Sequence, residues 1–131
     1  MLKTGTLSVS YPASMTDLCR DIFRLPAKDI SEDVVWWLEL AVFECVRNAL
    51  VHGNHKDPSK KVRIEYEWSE DHFTITVTDE GDGFDLSAVD DPTSGKNIAR
   101  EKGRGVFLMK HVMDSVKYNA TDNSITMTKR F

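Results

Sequence analysis

A carboxylate and a carboxamide stand four residues apart in the stretch E-C-V-R-N, Glu44 to Asn48. In a helix they lie about 40° apart in azimuth and roughly 6 Å apart along the axis, on one face. That face borders the apolar stripe of the same segment, so both groups look into the rim of a core, where a buried carboxylate needs a partner. A hydrated divalent cation can be that partner, because magnesium takes one or two protein oxygens together with phosphate oxygens and waters. Taken alone, the pair also fits an exposed Glu on a helix flank and an Asn near a C-terminal turn.

Asp79 is a second constraint. It continues the inward phase of Phe73, Ile75 and Val77 while carrying a charge. Glu80, Gly81, Asp82, Gly83 and Phe84 follow, and two glycines at that spacing allow a tight turn and the close approach of a flat ligand to backbone. A purine amino group is a suitable donor for such an acceptor, although D-x-G-x-G is also an ordinary strand-to-loop turn. The third element is Gly103, Arg104 and Gly105, read as the start of a helix whose free N–H groups and dipole favour phosphate. Lys96, Arg100, Lys102 and Arg104 add positive charge nearby, and the competing reading is a glycine-rich helix start beside a solvated loop. No G-x-x-x-x-G-K-[ST] string occurs, which excludes a P-loop enzyme.

The elements that position these residues follow from periodicity. Thr6 to Ser10 reads as an edge strand, and Leu18, Ile22 and Leu25 as the apolar side of a helix closed by Pro26. Ser31 caps a second helix with Glu32 and Asp33 in its first turn. Its stripe is Val34, Val35, Leu38, Val42, Cys45, Val46, Ala49 and Leu50, and Gly53 ends it. Lys61 to Trp68 alternates, with Val62, Ile64, Tyr66 and Trp68 on one face. A turn at Glu70 and Asp71 leads into Phe73, Ile75 and Val77, completing a hairpin. A loop or lid from about 85 to 103 precedes a third helix with Val106, Met109, Val112, Met113 and Val116 at helical spacing. Two short strands then turn around Asp122 and Asn123. The order predicts one α+β domain over 1–131, a two-layer sandwich with helices on one face of a mixed, mostly antiparallel sheet.

With 131 residues, 40% hydrophobic and 29% charged, and a formal charge of -4, the chain has the balance of a soluble globular domain without broad attraction for nucleic acid. Cys19 and Cys45 offer neither a disulfide framework nor a zinc spacing, and no apolar run approaches the roughly 20 residues of a membrane span. A cytoplasmic setting is expected, with no membrane or nucleic-acid partner. His52 and His55 lack a third zinc ligand at suitable spacing, so capping or exposure is their expected role. Cys45 reads as a small core residue; Trp36 and Trp37 read mainly as core, with at least one off the main stripe.

Three stretches together carry a family likeness: E-C-V-R-N-A-L-V-H-G-N (Glu44 to Asn54), D-E-G-D-G-F (Asp79 to Phe84) and G-R-G-V-F-L-M (Gly103 to Met109). In order and spacing they resemble the nucleotide boxes of the GHKL ATPases, with the Bergerat ATP-binding fold. The short N-terminal strand and helix and the compact lid resemble in particular the anti-sigma-factor serine/threonine kinases of bacterial partner-switching systems. That resemblance implies ATP and magnesium (Mg2+) as cofactors. It makes Glu44 the general base, Asn48 the magnesium ligand and Asp79 the acceptor for the adenine amino group. Gly81 and Gly83 would shape the adenine pocket, Gly103 and Gly105 would let the lid fold over the phosphates, and Arg104 would stabilise phosphate charge. A late-strand hydroxyl near the adenine is implied as well, with Ser124 and Thr126 both open. The implied partners are an antagonist protein phosphorylated on a hydroxyl and a sigma factor, and a homodimer is compatible with them. Two rivals stand beside this reading. One is a non-catalytic, nucleotide-dependent binding module, which the presence of Glu44 disfavours. The other is a detached histidine-kinase ATP domain, disfavoured because only about 40 residues precede the first box.

Overall fold

The computed structural model describes residues 3–24, 30–81 and 101–131, with side chains in the last span from Gly105 onward. Strand β1 is Lys3–Ser10, helix α1 Met15–Phe23, helix α2 Glu32–Asn48, strands β2 and β3 Lys61–Trp68 and His72–Thr78, helix α3 Glu101–Val112, and strands β4 and β5 Ser115–Asn119 and Ser124–Arg130. The strands form one sheet in the order β1-β2-β3-β5-β4, and each pairing among the described residues is antiparallel. The expected α+β two-layer arrangement is the observed one, with β1 at an edge.

Local chemistry sets the helix starts. Ser14 Oγ accepts the Asp17 N–H at 3.3 Å and Ser31 Oγ the Val34 N–H at 3.3 Å, so each serine satisfies an N–H that the helix itself leaves unpaired. In β2 and β3 the residues at alternate positions are buried, and the register brings Ile64 opposite Val77, Tyr66 opposite Ile75 and Trp68 opposite Phe73. This face, with Ile125 and Met127 of β5, packs on Ile22, Leu38, Val42, Val46 and Met109 from the helices. At one end Phe23 meets Trp68 edge-on at 5.6 Å, Trp68 lies 4.3 Å from Phe73, and the buried indole N–H donates to Ile22 O at 2.9 Å. The opposite sheet face is polar: Thr76 and Thr126 are paired across β3 and β5, their hydroxyls 3.0 Å apart.

Several boundaries differ from expectation. The second helix does not stop at a left-handed Gly53; it widens into a π turn over Ala49–Gly53, and the left-handed residues are His55 (φ 55°) and Lys56 (φ 59°). Helix α3 already begins at Glu101, which puts Gly105 inside it, and Val116 belongs to β4. Trp36 and Trp37 are both exposed, at 57% and 43%, contrary to core packing. Successive helix residues turn by about 100°, so with Leu38 facing the sheet, Trp37 falls on the groove beside α3 and Trp36 on the groove beside α1. Leu25 and Pro26, read as the end of α1, lie outside the described residues.

The Phe23, Trp68 and Phe73 cluster predicts a specific weakness. Phe73→Ala removes a ring with no exposed surface, and is expected to cost about 3–5 kcal/mol in a urea or guanidinium unfolding curve. A loss below about 1 kcal/mol would show that this end of the sandwich is not closely packed.

Candidate functional site

The C-terminal half of α2 delivers Glu44 and Asn48 to the seam with α3. Asn48 has no exposed surface, and neither its Oδ1 nor its Nδ2 has a hydrogen-bond partner among the described residues. An unsatisfied buried amide costs about 1–3 kcal/mol, so a water, a cation or another ligand that met it would be stabilising. Its oxygen is of a type that can serve magnesium, and the half-buried carboxylate of Glu44 lies beside it against Gly105. The facing residue is Gly105. A Cβ there would fall 2.7 Å from Glu44 Oε2 and 3.3 Å from Asn48 Nδ2, so the two polar side chains occupy space that any other residue would fill. As the fifth residue of α3, Gly105 has its N–H inside the helical ladder, whereas the N–H groups of Glu101 to Gly103 precede it. Gly105 therefore serves close packing.

The π turn after Asn48 brings a second group to the same end of α2. A Cβ on Gly53 would lie 2.5 Å from Asp79 Oδ2, and one on Gly81 would lie 1.6 Å from the Gly53 carbonyl oxygen. The helix end and the turn after β3 thus touch backbone to backbone, with Asp79 buried between them at 7% exposure. Asp79 Oδ1 accepts the Gly81 N–H at 2.9 Å, which closes a side-chain-to-backbone turn. Extra residues in π turns are frequent at functional sites. Here the wide turn carries Gly53 to Asp79 while Asn48, one helical segment earlier, faces Gly105.

Two residues of this region had no role in the sequence reading. Asn54, with no exposed surface, accepts the Glu80 N–H on Oδ1 at 2.8 Å and donates from Nδ2 to Lys61 O at 3.1 Å. Asn123, at φ 57°, donates to Gly81 O at 2.9 Å and accepts the Asp79 N–H on its own carbonyl at 3.2 Å. Asn123 was legible as a hairpin turn residue, since asparagine tolerates the left-handed region. Nothing in sequence spacing points to its contact 42 residues away. The register also separates the two late-strand hydroxyls. Buried Ser124 pairs with Thr78, next to Asp79, and its Oγ donates to Asp122 at 2.6 Å, whereas Thr126 pairs with Thr76 one step further along.

Gly83, the lid residues 85–100 with Lys96 and Arg100, and the side chains of Lys102 and Arg104 lie outside the described residues. Cys45 is a core residue, and burial pushes its thiol up to about 12, which leaves it protonated and unreactive. No helix among the described residues is long and apolar enough to cross a membrane.

Comparison with known proteins adds to this geometry. Residues 10–129 match the family model described as a histidine kinase-like ATPase domain. The chain is 31% identical over 100 residues to the serine-protein kinase RsbW of Oceanobacillus iheyensis, covering 72% of this chain and 63% of that protein. It is 33% identical over 108 residues to the anti-sigma F factor of the same organism, covering 78% and 73% of the two chains. With the anti-sigma F factor of Clostridium perfringens it shares 38% identity over 92 residues, covering 68% and 65%. The match thus spans somewhat under two thirds of the kinase relative's length.

The two glycine contacts predict opposite tolerances. Gly81→Ala forces backbone apart at Gly53 and is expected to lose about 3 kcal/mol or more. Gly105→Ala meets the far end of a Glu side chain, and alanine gains about 1 kcal/mol of helix propensity over glycine, so its net change is expected within about 1 kcal/mol. Chemical denaturation of both variants checks the order, and a reversed ranking would contradict the packing described.

Proposed function

The chain belongs to the histidine kinase-like ATPase domain family, and from that premise we propose that it is an ATP-dependent protein serine/threonine kinase and anti-sigma regulatory factor of a cytoplasmic partner-switching system. The observation that carries this reading is the gathering of Glu44, Asn48, Gly105 and Asp79 around one helix end, with a buried carboxamide whose polar atoms have no hydrogen-bond partner among the described residues. The names of the relatives, serine-protein kinase RsbW and anti-sigma F factor, support the two halves of the reading. The partners are an antagonist protein that receives the phosphoryl group and a sigma factor that is sequestered.

In the proposed reaction Glu44 accepts the proton of a serine or threonine hydroxyl on the antagonist. The freed oxygen bonds to the γ-phosphorus as the bond from that phosphorus to the β–γ bridging oxygen breaks, and ADP leaves. Asn48 holds magnesium, which when bound supplies positive charge against the phosphate oxygens. Asp79 accepts the adenine amino group beside Gly81 and Gly83, with Ser124 as the nearer late-strand hydroxyl. Gly103, Arg104 and Gly105 form the α3 start that faces the phosphates, where catalysis is chiefly electrostatic. The half-buried position of Glu44 against Gly105 suits a base screened from bulk water.

Two variants test the assignment. Glu44→Gln is expected to keep nucleotide affinity within about twofold while transfer of labelled phosphate to a candidate antagonist falls by about 100-fold or more. Equal transfer rates for variant and parent would remove the base from Glu44, and binding by the parent with no phosphoserine or phosphothreonine formed would favour a non-catalytic module. Asn48→Leu replaces an unsatisfied buried amide by an apolar side chain of similar size, so the ligand-free protein is expected to gain about 1–2 kcal/mol. The same variant should lose the magnesium-dependent part of the stabilisation by ATP, which at a hundredfold excess over Kd is about 2.7 kcal/mol for a binding-competent protein. Thermal melts with ATP, with and without magnesium, read both effects; an Asn48→Leu protein that keeps the magnesium increment would sink the metal assignment.

A further inference from the structure

Three consecutive residues, Asp79, Glu80 and Gly81, form the turn that presents the buried carboxylate, and each has a backbone group held by an asparagine. The Glu80 N–H is held by Asn54 Oδ1, the Gly81 carbonyl by Asn123 Nδ2, and the Asp79 N–H by the Asn123 carbonyl. The two asparagines come from different parts of the chain, one from the end of the π turn and one from the β4–β5 hairpin. Asn54 is fixed in turn by its donation to Lys61 O and by its backbone N–H to Ala49 O at 2.8 Å, and Glu80 reaches back to accept the Lys61 N–H.

The carboxylate's direction is tied to this turn because Asp79 Oδ1 accepts the Gly81 N–H. A glycine has the widest backbone freedom of any residue, so without outside restraint the Gly81 peptide would rotate and take the carboxylate with it. Hydrogen-bond strength falls steeply as distance and angle leave the optimum. A carboxylate aimed at a fixed point therefore discriminates between purines: it accepts from the exocyclic amino group of adenine and repels the carbonyl oxygen that guanine carries at that position. A loosely aimed carboxylate loses most of that difference.

We propose that Asn54 and Asn123 are positioning residues for nucleobase selection, clamping the Asp79–Gly81 turn from both sides so that Asp79 is aimed at an adenine amino group. This rests on the assignment of Asp79 as the adenine acceptor in the proposed function. Asn54 acts from the core, where its complete burial prevents water from replacing it, and Asn123 acts from the rim.

The test is equilibrium competition binding of ATP and GTP in magnesium, for the parent, Asn54→Ala and Asn123→Gly, each well below its own melting temperature. Asn123→Gly keeps a residue at ease in the left-handed region and keeps the carbonyl that accepts from Asp79, so it removes only the bond to Gly81 and decides the question even where Asn54→Ala fails to fold. Each variant is expected to weaken ATP about tenfold with GTP nearly unchanged, so that the preference for ATP narrows by about the same factor. Variants that melt earlier but keep the parent's ATP-to-GTP ratio would show a purely structural role and overturn this proposal alone. A parent that binds ATP and GTP equally would overturn the adenine assignment of Asp79 together with it.

Discussion

Three backbone segments in this fold approach one another more closely than side chains allow. The π turn closing α2 meets the turn after β3 at Gly53 and Gly81, and α3 meets α2 at Gly105. Each contact excludes a Cβ: the place of one on Gly53 is taken by Asp79, of one on Gly81 by the Gly53 carbonyl, and of one on Gly105 by Glu44 with Asn48 beside it. Glycine in a helix interior costs roughly 1 kcal/mol relative to alanine, and packing of backbone on backbone gives little apolar burial in return.

The distribution of buried polarity follows from that constraint. The core between sheet and helices is aliphatic and aromatic throughout, from Ile22 and Trp68 at one end to Val46 and Ile125 at the other. The buried polar residues Asn48, Asn54, Asp79 and Ser124 belong instead to the end of α2 and the strand ends beside it. Asn54 is satisfied by backbone, Ser124 by Asp122, and Asp79 by the Gly81 N–H among its contacts, while the Asn48 carboxamide has no hydrogen-bond partner among the described residues. A buried polar group is tolerable when hydrogen-bonded and expensive when not. Among these four residues Asn48 is thus the one whose polar atoms no described residue satisfies, and its neighbours are the scaffold beside it.

The sheet supplies the rigidity this scaffold needs. Because β3 is a central strand, paired to β2 on one side and β5 on the other, the residue that follows it is fixed by two registers at once. Asp79 leaves the ladder with its N–H still bonded to Asn123, so its backbone position is set by the hairpin as much as by its own strand. On the helical layer Trp36 and Trp37 flank α2 and meet each other at 4.8 Å, outside the core and away from this network.

Sequence alone determined most of the elements and named Glu44, Asn48 and Asp79 as candidates for one site. Alternation fixed β2 and β3, the Ser31 cap fixed the start of α2, and the spacing of Glu44 and Asn48 on one helix face followed from the helical repeat. These are local rules, read within a few residues. Tertiary structure decided what no local rule reaches: that Gly53 is a site of close approach and not a left-handed helix cap, that Gly105 packs against Glu44 and Asn48, that both tryptophans are exposed, and that Asn54 and Asn123 grip the turn of Asp79. A glycine looks the same in a string whether it is there for its torsion angles or for its missing Cβ. An asparagine does not reveal which distant peptide its amide will meet, because that depends on how the sheet and helices pack, a property of the whole chain.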